Sequence, residues 1–365
     1  MNGLMRSALV LRILRTAIAF SALIALIAAS ACAGNQPASE QETETRLLDL
    51  VPSSATALIS VQVKDLLADP DLDRLRNSAS DTDGEDTIPS SMSDALAEAE
   101  AATGLNIEAI EEALLFFTEL PLGSDDTESG DDEDGNTRGA VLLRVPYDRT
   151  SVIAALEKEE GPLVASQYNG QELLTSGEET VVAFISESVI VVGDTTGVQA
   201  VVDVSAGTTA AVAGDLRSAF EALGSPWVKV VIQPAREDLE STLQSEGGDF
   251  FGEAPPFMDA FAKLTLIKVT FEKAGGAFVF QAMLDFDDAA AAQQASDGID
   301  GLVKTFGAFS PDESLGQLLD KITIGTVANQ VTIGVQLTPA EVEQAMQTMQ
   351  AMDSSEGDSD LFFGE

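Results

Sequence analysis

The alternation of apolar and polar residues predicts regular structure from about Leu47 onward. The segment ATALISVQV (55–63) is apolar and rich in β-branched residues, which predicts a strand. The next segment, DLLADPDLDRLR, has leucines at helical spacing with an interruption at Pro70. Further on, MSDALAEAEAATG and NIEAIEEALLFF also have helical patterns, each opened by a residue of the capping type, Ser93 and Asn106.

Hairpins dominate the middle of the chain. GAVLLRV (139–145) predicts a strand, and YDRTSVIAALEKEE predicts a helix. LVASQY and QELLT flank Asn169-Gly170, which is a strong hairpin signal because both turn positions need positive φ. TVVAFIS and SVIVV form the next strand pair around Ser186 and Glu187, and the helical stretches TGVQAVVDV and GDLRSAFEALG follow.

The rest of the chain repeats this order of elements. VKVVIQP (228–234) predicts a strand that leads into the helical AREDLESTLQ, and LTLIKVTFEK and GAFVFQAMLDF form a hairpin around residues 274–276. A helical stretch, the hairpin KITIGTV/QVTIGVQL and the helix TPAEVEQAMQTMQAM come next. GAVLLRV parallels GAFVFQA, and VVAFISESVIVVGDTTGVQAVV parallels ITIGTVANQVTIGVQLTPAEVEQAM, which indicates an internal duplication.

Strand pairs joined by short turns, with helices between them, predict an α+β fold. In such a fold we expect antiparallel sheets with helices packed on one face. The expected regions are a signal peptide at 1–31, a flexible tether at 32–46, a first α+β half at 47–224, a second α+β half at 225–352 and an acidic tail at 353–365.

The N-terminus has the pattern of a secretion signal. Three arginines lie within residues 6–15, and an uncharged apolar run of 15 residues follows at 17–31, which is short for a membrane-spanning helix. Residues 29–34 read ASACAG and resemble the lipobox of bacterial lipoproteins, with Ala29 in the place of the usual leucine. The resemblance implies that Cys32, the only cysteine, is lipidated and anchors the protein to a membrane. An ordinary A-x-A cleavage site remains the alternative.

Three segments in the middle of the chain resemble those of uncharacterised bacterial envelope proteins, which are grouped only as domains of unknown function. The segments are the hairpin NGQEL (169–173), the strand VIVVGD (189–194) and the helix GVQAVVD (197–203). The resemblance implies an envelope location and no particular activity.

The chain is strongly acidic. Its formal net charge is −42, and removal of residues 1–31, with three arginines and no acid, gives −45. The segments 78–87, 124–137 and 353–365 hold 4, 7 and 5 acids and no basic residue, so −29 remains on the rest. Such a charge favours solubility in salt, where counterions screen repulsion. It excludes nucleic acid as a partner and makes bare anionic lipid surfaces poor ones.

The absence of histidine restricts the available chemistry. It removes histidine general bases, Ser-His-Asp and Cys-His sites and most zinc or iron sites, and lipidation of Cys32 removes thiol chemistry. Carboxylates, lysine and serine remain. A carboxylate glycosidase would normally bind sugar on aromatic side chains, yet only Trp227, Tyr147 and Tyr168 exist besides phenylalanine. We therefore expect no enzyme activity and no cofactor.

The acidic segment 124–137 raises the question of a calcium site. Counting back from Gly135 as in an EF-hand loop, the first ligand position falls on Gly130, and position twelve falls on Val141 instead of glutamate. A solvated loop is the better interpretation, so no metal site is predicted.

Gly193 and Gly197 raise the question of a phosphate-binding loop. No lysine follows them, and the G-x-x-x-x-G-K-[ST] pattern is absent. A strand-to-helix turn capped by Thr195 or Thr196 accounts for them better.

The motif FFGE occurs twice, with paired aromatic residues at Phe250-Phe251 and at Phe362-Phe363. Both copies lie in an acidic, glycine-rich context. These phenylalanines either contact a partner or pack back on their own domain.

These observations favour a lipid-anchored, non-enzymatic envelope protein that faces the periplasm or the exterior. Its α+β body is expected to bind another macromolecule or a small-molecule ligand outside the cytoplasm. A structural spacer lipoprotein and a carboxylate-based hydrolase are the alternatives. Converging acids in an apolar pocket would favour the hydrolase, and a broad apolar surface would favour binding.

Overall fold

Twelve strands and eight helices are named in the computed structural model, which describes residues 46–79, 99–119, 138–176, 180–237, 239, 257–309 and 313–345. The strands are β1 Ala57–Val61, β2 Glu112–Phe117, β3 Gly139–Arg144, β4 Val164–Tyr168, β5 Gln171–Ser176, β6 Thr180–Phe184, β7 Val189–Gly193, β8 Val228–Ile232, β9 Leu264–Ala274, β10 Ala277–Phe286, β11 Thr323–Val327 and β12 Gln330–Leu337. The helices are α1 Val63–Leu67, α2 Pro70–Ala79, α3 Arg149–Glu160, α4 Thr195–Ser205, α5 Gly214–Ala222, α6 Met258–Phe261, α7 Ala289–Phe309 and α8 Glu313–Leu319.

All twelve strands belong to one antiparallel sheet, so the α+β class is confirmed. The strand order is β11-β12-β10-β9-β8-β1-β2-β3-β7-β6-β5-β4. At the centre, β1 pairs with both β2 and β8, and this pairing joins the two halves of the chain. Read outward from the centre, β1-β2-β3-β7-β6 on one side has the same order and hairpins as β8-β9-β10-β12-β11 on the other. The hairpin of β4 and β5 extends the first side.

Helices pack on both faces of the sheet, which corrects the expectation of a single covered face. We call face A the side that carries Leu58 and face B the side that carries Ile59, since successive residues of a strand point to opposite sides. On face A, α4, α5 and a 3-10 turn at Leu47–Leu50 bury the first core cluster. On face B, α1 and α3 bury a second cluster, while α6 and α7 bury a third over the strands of the second half. The physical reason is that strands such as TVVAF are apolar on both sides and need two layers.

The segment 106–117, with its helical pattern, is mostly a strand instead. Asn106 does act as a cap, since its side chain accepts a hydrogen bond from the backbone N–H of Ala109, but the helix is one 3-10 turn at Ile107–Ala109. The next residues form β2, whose Leu114 and Phe116 are fully buried on face A. In a strand, successive residues point to opposite faces, and here both faces carry apolar residues. Their burial outweighs the helical propensity of the glutamates.

Most other predicted elements are confirmed. Asn169 and Gly170 form the β4–β5 turn with φ values of 46° and 81°. The interruption before Pro70 separates α1 from α2. Within the described ranges, no helix is long and apolar enough to cross a membrane.

Candidate functional site

The residues that the sequence singles out for anchoring and partner contact lie outside the described part of the chain. These are Cys32, Phe250, Phe251, Phe362 and Phe363. The acidic segments 124–137 and 353–365 also lie outside it. The candidate sites among the described residues lie in the folded body.

The glycines of the VVGDTTG segment serve packing. Asp194, and not Thr195 or Thr196, caps α4: its carboxylate accepts hydrogen bonds from the backbone N–H groups of Gly197, at 2.8 Å, and of Gly139, at 2.6 Å. A Cβ on Gly193 would lie 2.5 Å from the carbonyl oxygen of Gly139, which leaves no room for a side chain. The segment locks α4 onto β3, and the carboxylate occupies the helix N-terminus.

The second aspartate of the envelope-protein resemblance, Asp203, fixes the NG hairpin. It accepts a hydrogen bond from the hydroxyl of Tyr168 at 3.0 Å and from the amide of Asn169 at 2.5 Å. The bond to Asp203, followed by burial, raises the pKa of Tyr168 above its ordinary value. The shared motif residues thus hold β4 and β5 against α4.

A buried serine and a buried lysine face each other at the centre of face A. Ser60 of β1 is fully buried and lies directly opposite Lys229 of β8, which is 8% exposed. Burial lowers the pKa of Lys229. A serine beside a lysine of lowered pKa is an arrangement that nucleophilic enzymes use.

The hydrogen bonds of these two residues indicate a structural role. The hydroxyl of Ser60 donates to Oε1 of Glu112 at 2.9 Å, while Nζ of Lys229 donates to the carbonyl of Gly224 at 2.8 Å. Nζ also lies 4.1 Å from the ring centroid of Phe220. Each side chain donates a hydrogen bond to a group outside the pair. Both polar atoms are therefore satisfied where β1 and β8 join the two halves.

A second contact joins the two halves on face B. Nζ of Lys273, in β9, lies 2.7 Å from the carboxylate of Asp69 and 2.6 Å from that of Asp71, at the start of α2. Burial opposes the charge on Lys273, but the two carboxylates outweigh it and raise its pKa. Beside this ion pair, Trp227, Phe271 and Phe278 form an aromatic group with centroids 5.8–6.3 Å apart.

An unbroken row of apolar residues crosses all twelve strands on face B. Each member lies directly opposite the next in the strand register. From β4 to β11 the row reads Ala165, Leu174, Val182, Val192, Val141, Leu115, Ile59, Val230, Val269, Ala282, Ile333 and Ile324.

The middle of this row lies between the two helical layers of face B. Leu174, Val182, Val192 and Val230 pack with the layer of α1 and α3, and Ile333 and Ile324 pack with that of α7. Five residues of the row belong to neither layer among the described residues, and they are only partly buried. We call these five the open row: Val141, Leu115, Ile59, Val269 and Ala282.

The open row was not predicted from the sequence, although a signal for it exists. The strands ALISV and EALLFF are apolar at successive positions, which predicts burial on both faces. Where helices would stop short on one face depends on tertiary packing, so the pattern alone could not locate the gap between the layers.

A shallow cleft of about 320 Å³ lies between α7 and α8. Val303 and Leu319 supply apolar walls, while Lys304 and Asp320 lie at its sides. Asp320 is the one carboxylate in its lining, whereas the hydrolase alternative needs two that converge. Within the described ranges, no group of three or more acids, cysteines or histidines is arranged to hold a metal ion.

The fold and these surfaces define a mixed α+β protein built on one antiparallel sheet, with an apolar row that the described helices cover only in part. No protein-family model matches the chain, and no curated protein matches it. Solved structures of TP0453 are similar in fold at 9–10% identity. The alignment with crystal form III has a TM-score of 0.47 and covers 84% of this chain and 100% of the TP0453 chain. The alignment with crystal form I has a TM-score of 0.46 and covers 84% of this chain and 99% of the TP0453 chain. Crystal form IV has 0.42 with 82% and 95%.

Proposed function

We propose that the protein is a lipid-anchored, non-enzymatic protein of the cell envelope that binds an apolar ligand along the open row. The observation that carries this proposal is the set of five aliphatic side chains between the helical layers of face B, none of which joins a core cluster of the described residues. Partly exposed apolar surface of this kind favours a binding role over that of a spacer.

The shape and lining of the open row suit an elongated alkyl chain. From Val141 to Ala282 the open row spans six adjacent strands, which corresponds to about 24 Å at the usual strand spacing, and it is interrupted only at Val230 of β8, which packs with the layer of α1 and α3. The adjacent rows on face B are apolar as well: Ala113, Val61 and Val228 lie on one side, and Ala57, Ile232 and Ile267 on the other. An alkyl chain on this part of the row would therefore contact only apolar side chains.

The anchoring half of the proposal rests on the N-terminal segment. The lipobox resemblance at 29–34 places a lipid on Cys32, and the polar residues 33–46 then connect it to the folded body. A lipid anchor would hold the open row close to a membrane, where alkyl chains are abundant. The high negative charge of the body would keep it from lying flat on anionic lipid.

The test uses a neutral fluorescent probe, N-phenyl-1-naphthylamine, because an anionic probe would be repelled by the acidic chain. The Cys32→Ser chain, purified from the soluble fraction after removal of the signal segment, is used so that no detergent micelle competes for the probe. We expect saturable binding that a long-chain alcohol displaces. Ala282→Phe, which fills the β10 end of the open row, should weaken binding about ten-fold, the equivalent of about 1.4 kcal/mol. Gln281→Phe adds the same ring on face A and is the matched control.

The outcomes separate the candidate functions. Absence of saturable binding, with both variants as stable as the parent chain, would reject the binding role and leave the spacer. Equal loss in both phenylalanine variants would show that the probe binds elsewhere. For the carboxylate-based hydrolase, the cleft between α7 and α8 supplies only Asp320, so no geometry in the described residues favours it over binding.

We also propose that the two halves, at 47–224 and 225–352, arose by duplication. The equal strand orders on the two sides of the β1–β8 pair support this, since hairpin β6–β7 corresponds to β11–β12 and strand β3 to β10. These are the segments whose sequences parallel each other in pattern. A search for a natural chain that contains one half alone would test the idea, because a duplicated unit should also exist singly.

A further inference from the structure

The sheet ends on one side in β11, an edge strand that no other described strand covers. Its sequence, Thr-Ile-Gly-Thr-Val, holds no charged residue and no proline, although 22% of the chain is charged. Within the described residues β11 pairs only with β12, so one row of its backbone N–H and C=O groups lacks a strand partner. Val327 at its end is 76% exposed. Proteins usually protect such edges with charges, prolines or bulges.

The edge is held rigidly in strand geometry. In the β11–β12 turn, the amide of Asn329 donates to the carbonyl of Phe286 at 2.7 Å, and the N–H of Phe286 donates back to the carbonyl of Asn329 at 2.9 Å. The amide of Gln330 donates to Asp285 at 2.7 Å. The turn residue Ala328 has a φ of 53°, a conformation that these contacts maintain. A fixed edge loses little entropy when a further strand adds to it.

We propose that β11 pairs antiparallel with β11 of a second copy of this chain, about a two-fold axis at Gly325. This register places Gly325 opposite itself, Ile324 opposite Thr326, and Thr323 opposite Val327. The exposed valine of each copy then lies beside a threonine on face A, and Ile324 lies beside Thr326 of the second copy on face B. The contact is self-complementary and closes at two copies, as a two-fold interface requires.

Three features identify the occupant as a second copy. The unmet backbone groups require a strand, and a neutral strand is required because an acidic one would oppose the charge of the body. The five-residue pattern matches itself in antiparallel order, with a threonine opposite each larger apolar residue and glycine opposite glycine. Gly325 leaves open space at the axis, since no atom lies within 4 Å of an added Cβ.

The opposite edge, β4, offers a poorer version of the same contact. Val164–Tyr168 is also neutral, and Val164 is 67% exposed. However, Ala165 at the end of the apolar row is exposed on β4, whereas Ile324 of β11 packs against the core beneath α7. A second copy on β11 therefore continues a covered layer, and one on β4 would not.

The experiment is sedimentation equilibrium of the full-length chain in density-matched detergent with 1 M sodium chloride, which screens the repulsion between two acidic copies. We expect a dimer. Gly325→Lys fits the fold, because its side chain enters open space, but it crowds two long side chains together at the axis, where the opposite Cα atoms of paired strands are only about 5 Å apart. It should raise the dissociation constant at least ten-fold. Val164→Lys places the same charge on the β4 edge and should leave the dimer intact.

Amide hydrogen exchange supplies a second measurement on the same samples. The amides of β11 should be protected in the parent chain and exchange faster in Gly325→Lys, with β12 unchanged in both. A monomeric parent chain would overturn the proposal, as would a dimer that survives Gly325→Lys. Loss of the dimer in Val164→Lys would also overturn it, because the contact would then involve the β4 edge.

Discussion

Gly197 approaches Gly139 so closely that a Cβ on Gly197 would lie 2.3 Å from the carbonyl oxygen of Gly139. This contact brings the first turn of α4 directly onto the backbone of β3. It depends on glycine for space and not for a left-handed conformation.

Gly197→Ala should therefore destabilise the fold. The neighbour is backbone and cannot move aside, so we expect a loss of about 1–3 kcal/mol from overpacking. At about 2–4 °C per kcal/mol for domains of 150–250 residues, the melting temperature should fall by several degrees. Gly301→Ala in α7 is the control, since no atom lies within 4 Å of its added Cβ. Alanine in that helix should stabilise by about 0.5–1 kcal/mol. An unchanged melting temperature in Gly197→Ala would show that α4 can shift away from β3.

Lys273→Met should weaken the joint between the two halves and reduce the dependence of stability on acid. The hydrogen bond from Lys273 is the largest cause that lowers the pKa of Asp71 below its ordinary 3.8. Asp71 therefore contributes its stability fully above pH 3.8, and this contribution is lost as the pH falls through the lowered pKa. Denaturant midpoints at pH 3 and pH 7 measure the effect. Lys304→Met, at an ion pair with Asp300 whose lysine is 73% exposed, is the control and should change little. Equal effects of the two substitutions would contradict the role of Lys273.

Glu341 should titrate far below an ordinary glutamate. A hydrogen bond from Lys321, followed by that from the backbone N–H of Thr338, lowers its pKa from 4.5 to about 2. The lowered pKa makes its contribution to stability complete above pH 4.5 and removes it as the pH falls through about 2. Carbon-13 NMR of the side-chain carboxyls gives the pKa directly, and Glu341→Gln removes the signal for assignment. A pKa near 4.5 would mean that the turn after β12 does not hold this geometry in solution.

Sodium chloride should stabilise the fold. The chain has a net charge of −42, and at 1 M salt charge repulsion extends only about 3 Å. We expect the unfolding midpoint of the Cys32→Ser chain to rise between low salt and 1 M. Potassium chloride at equal ionic strength should act alike if screening is the cause. A flat or falling midpoint would show that repulsion between the acidic residues does not limit the stability of the fold.

Cys32→Ser should release the protein from membranes or leave it unprocessed. A diacylglyceryl group and an N-acyl chain together supply several dozen CH₂ groups, each contributing about 0.8 kcal/mol when buried. Fractionation of cells with metabolic fatty-acid labelling checks this. Labelled parent chain in the membrane fraction, with unlabelled variant outside it, is the expected pair of results. A variant of mature size that remains in the membrane would refute lipidation at this cysteine.

Local signals in the sequence predicted most elements of the fold. The NG turn at Asn169-Gly170, the break before Pro70 and the hairpin at Gly275-Gly276 all depend on φ preferences within two or three residues, and all are present. The prediction of a helix at 106–117 was wrong, because glutamates favour a helix locally while burial on both faces of the sheet imposes a strand.

The candidate site could be predicted far less well. The open row depends on pairs such as Ile59 with Val230, which lie far apart in sequence. The contacts of Asp69 and Asp71 with Lys273 likewise depend on the tertiary arrangement of distant elements. Local periodicity carries no information on which strands become neighbours, so it could not predict these contacts.

The pairing of β1 with β8 has a consequence for how the chain acquires its structure. Residue 57 pairs with residue 232, so the first strand of the sheet gains its second neighbour only after most of the protein has been made. Contacts between such distant segments slow folding, because the loop between them must close first. Until then, a neutral apolar strand presents an unpaired edge to its surroundings. The acidity of the chain acts against aggregation during that interval, when the emerging copies repel one another.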